Sequence, residues 1–131
     1  MSSTAPAPLS RQSSAANSPI IYEVNLSVPK DRCSDYLKYL ADFTRGVCSE
    51  VEGFTGVQIF TQPKPVGLHW LSEEGDSKAY VTVHYHVASE MDLDLYLKDH
   101  QERVAVADQS KWGHLVTSRR ILRLTFSTID A

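Results

Sequence analysis

From residue 20 onward the chain switches between two hydrophobic periods. Over residues 20–28 Ile20, Tyr22, Val24, Leu26 and Val28 fall on one side, with Ile21, Glu23, Asn25 and Ser27 on the other. That two-residue period predicts a strand with one buried face. After Pro29, Asp31 opens a stretch whose apolar positions Cys33, Leu37, Leu40, Val47 and Val51, with Thr44 as a weak member, step by four and three. This is the stripe of an amphipathic helix, and Gly53 stands where helices commonly end in a left-handed residue. Alternation returns over residues 54–62, with Thr55, Val57, Ile59 and Thr61 opposite Phe54, Gly56, Gln58, Phe60 and Gln62. It returns again over residues 79–88, with Val81, Val83, Tyr85 and Val87 opposite Tyr80, Thr82, His84 and His86. Ser89 and Asp92 form a variant capping box, and Leu93, Leu97, His100, Val104 and Ala107 predict one second helix. A last strand is expected over residues 115–126, with Ile121, Arg123 and Thr125 opposite Leu122, Leu124 and Phe126.

The order strand, helix, strand, strand, helix, strand predicts an α+β, ferredoxin-like βαββαβ fold with a four-stranded antiparallel sheet. With right-handed crossovers the first and third strands take the centre, running parallel, flanked by the fourth and second respectively. Two helices cover only one face of such a sheet, so the other must meet water, a ligand or another chain. Alternation assigns Ile20, Tyr22, Val24, Leu26, Val57, Ile59, Val81, Val83, Tyr85, Leu122 and Leu124 to the helix side. Glu23, Asn25, Phe54, Gln58, Phe60, Tyr80, Thr82, His84, His86, Ile121 and Arg123 then share the open side. That side mixes aromatics, amides and imidazoles, unlike a plainly solvated sheet. Stacking two copies face to face, as in the dimeric α/β-barrel type, would hide Phe54, Phe60 and Tyr80, so a homodimer is expected.

The segments IIYEV, GFTGVQIF, AYVTVHYHV leading into LDLYLKDH, and TSRRILRL resemble the small proteins of domain of unknown function 4286 across nearly all of residues 20–124. The resemblance implies a ferredoxin-like, dimeric α/β-barrel type of fold and carries over no catalytic residues. The chain departs from that pattern in its first helix, where Tyr36, Tyr39 and Gly46 stand in place of a Trp-rich stretch and a His-Ile-Pro segment. It departs again in the Pro-rich connection around Trp70.

Of 131 residues, the first 18 hold six Ser, four Ala and two Pro with Arg11 as the only charge. They read as a disordered leader (1–18), leaving about 110 residues (19–127) for one ferredoxin-like domain. A net charge of -3 without a basic run argues against nucleic acid and anionic membrane as partners. No apolar run approaches the roughly 20 residues of a spanning helix. Cys33 and Cys48 lie on one predicted helix about 22 Å apart, too far to pair. A reducing, cytoplasmic setting follows, with a mitochondrial one as the alternative because the leader is Ser-rich and acid-free.

Candidate chemistry concentrates on the open face. His84 and His86, two apart, could join Glu23 in holding a metal. The preferred reading makes them hydrogen-bonded interface residues pairing with Glu23, Asn25 or Gln58, with no metal and no cofactor. The candidate ligand or interface face is therefore Glu23, Asn25, Gln58, Phe60, Tyr80, His84, His86 and Arg123, with a Glu23–Arg123 ion pair. The expected function is binding of a small molecule or a partner between two sheets. The alternative is a cofactor-free monooxygenase- or isomerase-like enzyme, in which His84 and His86 move protons while Arg123 or Tyr80 steadies an enolate-like oxygen. The long connection over residues 63–78 carries Leu68 and Trp70, read as a lid or partner contact, or as packing over the hairpin end of the domain.

Overall fold

The structure, a computed structural model, describes residues 19–63 and 77–129. The leader, and the connection's Leu68 and Trp70, lie outside the described residues. The elements follow the order β1 (Ile20–Pro29), α1 (Lys30–Glu50), β2 (Phe54–Thr61), β3 (Lys78–Val87), α2 (Glu90–Asp99), α3 (Gln101–Trp112) and β4 (Val116–Arg123). They build one sheet in the order β2-β3-β1-β4, in which every neighbouring pair is antiparallel. This is the α+β, ferredoxin-like arrangement. The central pair β1 and β3 therefore runs antiparallel, not parallel as expected. A strand that returns by a hairpin from β2 must oppose β2, and β2 itself runs with β1 across the helical crossover.

Alternation places the core. Ile20, Tyr22, Leu26 and Val28 of β1 and Val81, Val83, Tyr85 and Val87 of β3 are buried beneath the helices. From α1 come Tyr36, Leu40, Thr44 and Val47, so Tyr36 rather than Leu37 leads the buried stripe. Thr44 is tolerated there because its hydroxyl donates back to the Leu40 carbonyl at 2.8 Å. Gly53 has φ 90°, and its carbonyl accepts the Ala88 N–H at 2.8 Å, tying the end of α1 to the start of the next helical region. Ser89 caps α2 by accepting the Asp92 N–H at 3.1 Å.

Three expectations fail locally. Phe54 is buried against Tyr85 and Tyr96 instead of lying on the open face, because the β2–β3 register shifts between Phe54 and Gly56. A bulge adds one residue, and one residue reverses the side on which everything beyond it points. The second helical region is broken at His100 into α2 and α3, and Ala107 turns to solvent while Asp108 takes the buried position. The faces of β4 are also reversed. Ile121 pairs with Tyr22 and Arg123 with Ile20 on the helix side, whereas Arg120 pairs with Glu23 and Leu122 with Ile21 on the open side.

Among the described residues no helix is long and apolar enough to cross a membrane. Cys33 and Cys48 are both free thiols, half-buried on α1, and burial pushes the Cys48 thiol up, away from a reactive thiolate.

Candidate functional site

The helix-free face is organised in rows that cross all four strands. One row reads Arg120, Glu23, His84, Gln58 from β4 to β2, and the next reads Ser118, Asn25, Thr82, Phe60. Register alone thus gathers Glu23, Asn25, Gln58, Phe60 and His84 on this face. His86 and Tyr80 join them at a spacing of two along β3.

Glu23 is the hub. Only 5% exposed, its carboxylate accepts from Arg120 Nε at 2.7 Å and from Asn25 Nδ2 at 3.0 Å, and lies 2.8 Å from His84 Nε2. The Arg120 hydrogen bond, supported by those of Asn25 and His84, outweighs burial and holds the Glu23 carboxyl at about 2, below the ordinary glutamate value of 4.5. Asn25 is locked in turn, donating to Ser118 Oγ at 3.1 Å while its carbonyl oxygen accepts the Thr82 hydroxyl at 2.7 Å. His86 Nε2 stands 2.7 Å from Gln58 Oε1. Phe60, 45% exposed, sets its ring edge-on to His84 at 5.0 Å.

The expected Glu23–Arg123 pair is replaced by Glu23–Arg120, and Arg123 instead pairs with Glu90 at the start of α2. The predicted His/Arg pocket thus loses its Arg123. His84 is engaged by Glu23 and His86 by Gln58. No group of three or more His, Cys, Asp or Glu close enough to hold a metal ion occurs among the described residues.

A second set of polar groups, not foreseen from the sequence, lies on the other side of the sheet. A half-open cavity of about 50 Å³ separates β1 and β4 from α1 and α3, and Tyr22, Tyr36, Tyr96, Gln101, Asp108 and Arg119 are among its lining residues. Tyr36 donates its hydroxyl to Asp108, 3.3 Å from one carboxylate oxygen and 3.5 Å from the other, and Tyr39 is hydrogen-bonded to the same carboxylate. Burial pushes the Asp108 carboxyl up against the opposing effect of these two phenols. Burial and Asp108 together push the Tyr39 phenol up to about 12. At the rim, Tyr22 accepts from Gln101 Nε2 at 3.2 Å. The available signal was the position of Asp108, four residues after buried Val104 on an otherwise apolar helix side.

His100 is half-buried beside Tyr96, ring centroids 6.3 Å apart, with Nδ1 2.9 Å from the Arg103 guanidinium, as suits an edge histidine with partners. Trp112 closes one end of the core against Tyr36 and Tyr39, with Arg32 over its ring.

No family model matches the chain. No curated protein matches it either. Solved structures do. A candidate antibiotic biosynthesis monooxygenase of Bacillus cereus superposes with a TM-score of 0.57 at 11% identity, covering 86% of this chain and 99% of its own. One from Bacteroides thetaiotaomicron gives 0.53 at 10% identity, covering 88% and 98%. An ethyl tert-butyl ether d family protein of Bacillus halodurans gives 0.51 at 19% identity, covering 79% and 95%. At such identities the likeness extends to the ferredoxin-like fold and no further, and it does not confirm the domain of unknown function 4286 family.

Proposed function

We propose that the chain is a small binding protein that works as a homodimer, two copies meeting through their helix-free sheet faces. The observation that carries this reading is the row Arg120, Glu23, His84, Gln58 with its neighbour Asn25, Thr82, Phe60. A solvated face has no use for a carboxylate that is 5% exposed and held by three side chains. A mating face does, because a fixed polar network specifies which register two sheets adopt. The face also offers both signs of charge and both donors and acceptors, so it is complementary to a copy of itself under two-fold symmetry.

Glu23, Asn25, Gln58, Phe60, Tyr80, His84 and His86, with Arg120 in the role first given to Arg123, form the contact surface, where a small molecule or a partner would be held between the sheets. The cofactor-free enzyme is the weaker reading, since its Arg123 faces away and its two histidines are already hydrogen-bonded.

Sedimentation equilibrium at micromolar concentration tests the proposal. The wild-type chain should sediment as a dimer, and Phe60→Asp, which places a charge on the face without touching the core, should sediment as a folded monomer. A wild-type monomer, or a Phe60→Asp variant that remains fully dimeric, overturns it.

A further inference from the structure

Asp108 is unusual for this chain. It is 8% exposed, and no Lys or Arg forms an ion pair with it among the described residues. Buried aspartates are ordinarily paired, because an uncompensated carboxylate in a poorly hydrated site is strongly disfavoured. Two phenols donate to it, Tyr36 at 3.3 and 3.5 Å and Tyr39 beside it, and a carboxylate offers about four acceptor sites. The group therefore keeps unused accepting capacity, and it lines a cavity that opens to solvent.

The rest of the lining says what would use it. Tyr22, Tyr36 and Tyr96 line the same space, and aromatic faces attract cations through their quadrupoles. At about 50 Å³ the space takes a few water-sized groups, since one water needs roughly 10–15 Å³. That admits an ammonium head with a short alkyl stem and excludes a multi-ring ligand. Arg119, exposed at the rim and hydrogen-bonded to Tyr22, adds a positive charge that opposes a second cation at the mouth.

We infer that this cavity is a binding site for a small primary ammonium, whose N–H groups donate to Asp108 while its stem lies among Tyr22, Tyr36 and Tyr96. The site is separate from the helix-free face, and its test does not depend on dimerisation.

The test is a titration at neutral pH and fixed ionic strength with propylammonium chloride, followed by backbone amide NMR shifts, with propanol as the uncharged control of equal size. Saturable shifts around Asp108 and Tyr36 are expected with propylammonium, and binding of propanol should be weaker by about tenfold or more. Asp108→Asn, which keeps the shape and removes the charge, should reduce propylammonium binding to the propanol level. Arg119→Gln, on an exposed strand position and with a side chain that can still hydrogen-bond Tyr22, should tighten it by removing the opposing charge. Absence of saturable shifts at these residues, equal binding of propanol, or unchanged affinity in a folded Asp108→Asn variant overturns the inference. So does Arg119→Gln weakening propylammonium.

Discussion

Two buried carboxylates on opposite sides of one sheet illustrate how environment, not residue type, decides a group's contribution. Glu23 is surrounded by donors and its folded value is depressed to about 2, so it stabilises the fold above the ordinary value of 4.5. That stability is lost as pH falls from about 4.5 through about 2. Asp108 has the opposite sign: burial raises its value, so its charge opposes folding at neutral pH, and the opposition is relieved as pH falls through that raised value. Glu23→Gln should therefore lower the free energy of unfolding at neutral pH by about 2 kcal/mol, the scale of hydrogen bonds to a charged group. It should also flatten the acid limb between pH 4.5 and 2, where the wild type loses stability. Urea denaturation across that range checks both, and an unchanged acid limb would show that Glu23 is not the group responsible. At this scale the sequence was informative where neighbours were set by alternation on well-buried strands. Glu23, Asn25, Gln58, Phe60 and His84 share a face as read, because a slip on β1 or β3 would have exposed a whole row of core side chains.

Elements whose faces are less constrained were less legible. On β4 the run Ser118, Arg119, Arg120, Ile121, Leu122, Arg123 puts Arg120 and Leu122 on one side and Arg119, Ile121 and Arg123 on the other, so both sides mix arginine with a single aliphatic residue. The strand lies at the sheet edge and remains largely exposed on both sides, so no burial penalty marks the correct choice. The bulge at Thr55 is equally silent, since Phe54 continues the alternation while its side chain joins the core. The break at His100 is silent for a different reason: backbone bonds from Val104 N–H to the His100 carbonyl at 3.0 Å and from His100 N–H to the Tyr96 carbonyl at 2.9 Å keep the segment helical in outline. The glycine terminating α1 was legible, and the structure adds why it matters. Gly53, at φ 90°, sits where a Cβ would overlap the Asp92 side chain, whereas at Gly113, φ 87°, a Cβ would meet nothing. Gly113→Ala should cost about 1–2 kcal/mol from left-handed backbone strain alone. Gly53→Ala should cost more, about 3 kcal/mol, because the cap of α2 must shift as well. Thermal unfolding of the two variants side by side measures the difference, and equal losses would remove the Asp92 contact from the argument.

For the whole molecule the question is what occupies the face that its own helices leave bare. A four-stranded sheet covered on one side leaves residues such as Phe60 in water, and the unfolded chain gains nothing from a second copy that the folded chain could use. If two sheets mate, association stabilises only the folded state, so stability must depend on protein concentration by mass action. The thermal midpoint of the wild-type chain should rise with each tenfold increase in concentration. Phe60→Asp, with the same core and the same Glu23 network, should show a single midpoint at every concentration. The comparison separates two effects that a single melting curve merges: loss of a partner removes the slope, and damage to the fold lowers the midpoint while leaving the slope in place. Scanning calorimetry over a hundredfold range resolves them, and a wild-type midpoint that does not move would mean that the row from Arg120 to Gln58 serves the isolated sheet and not its pairing.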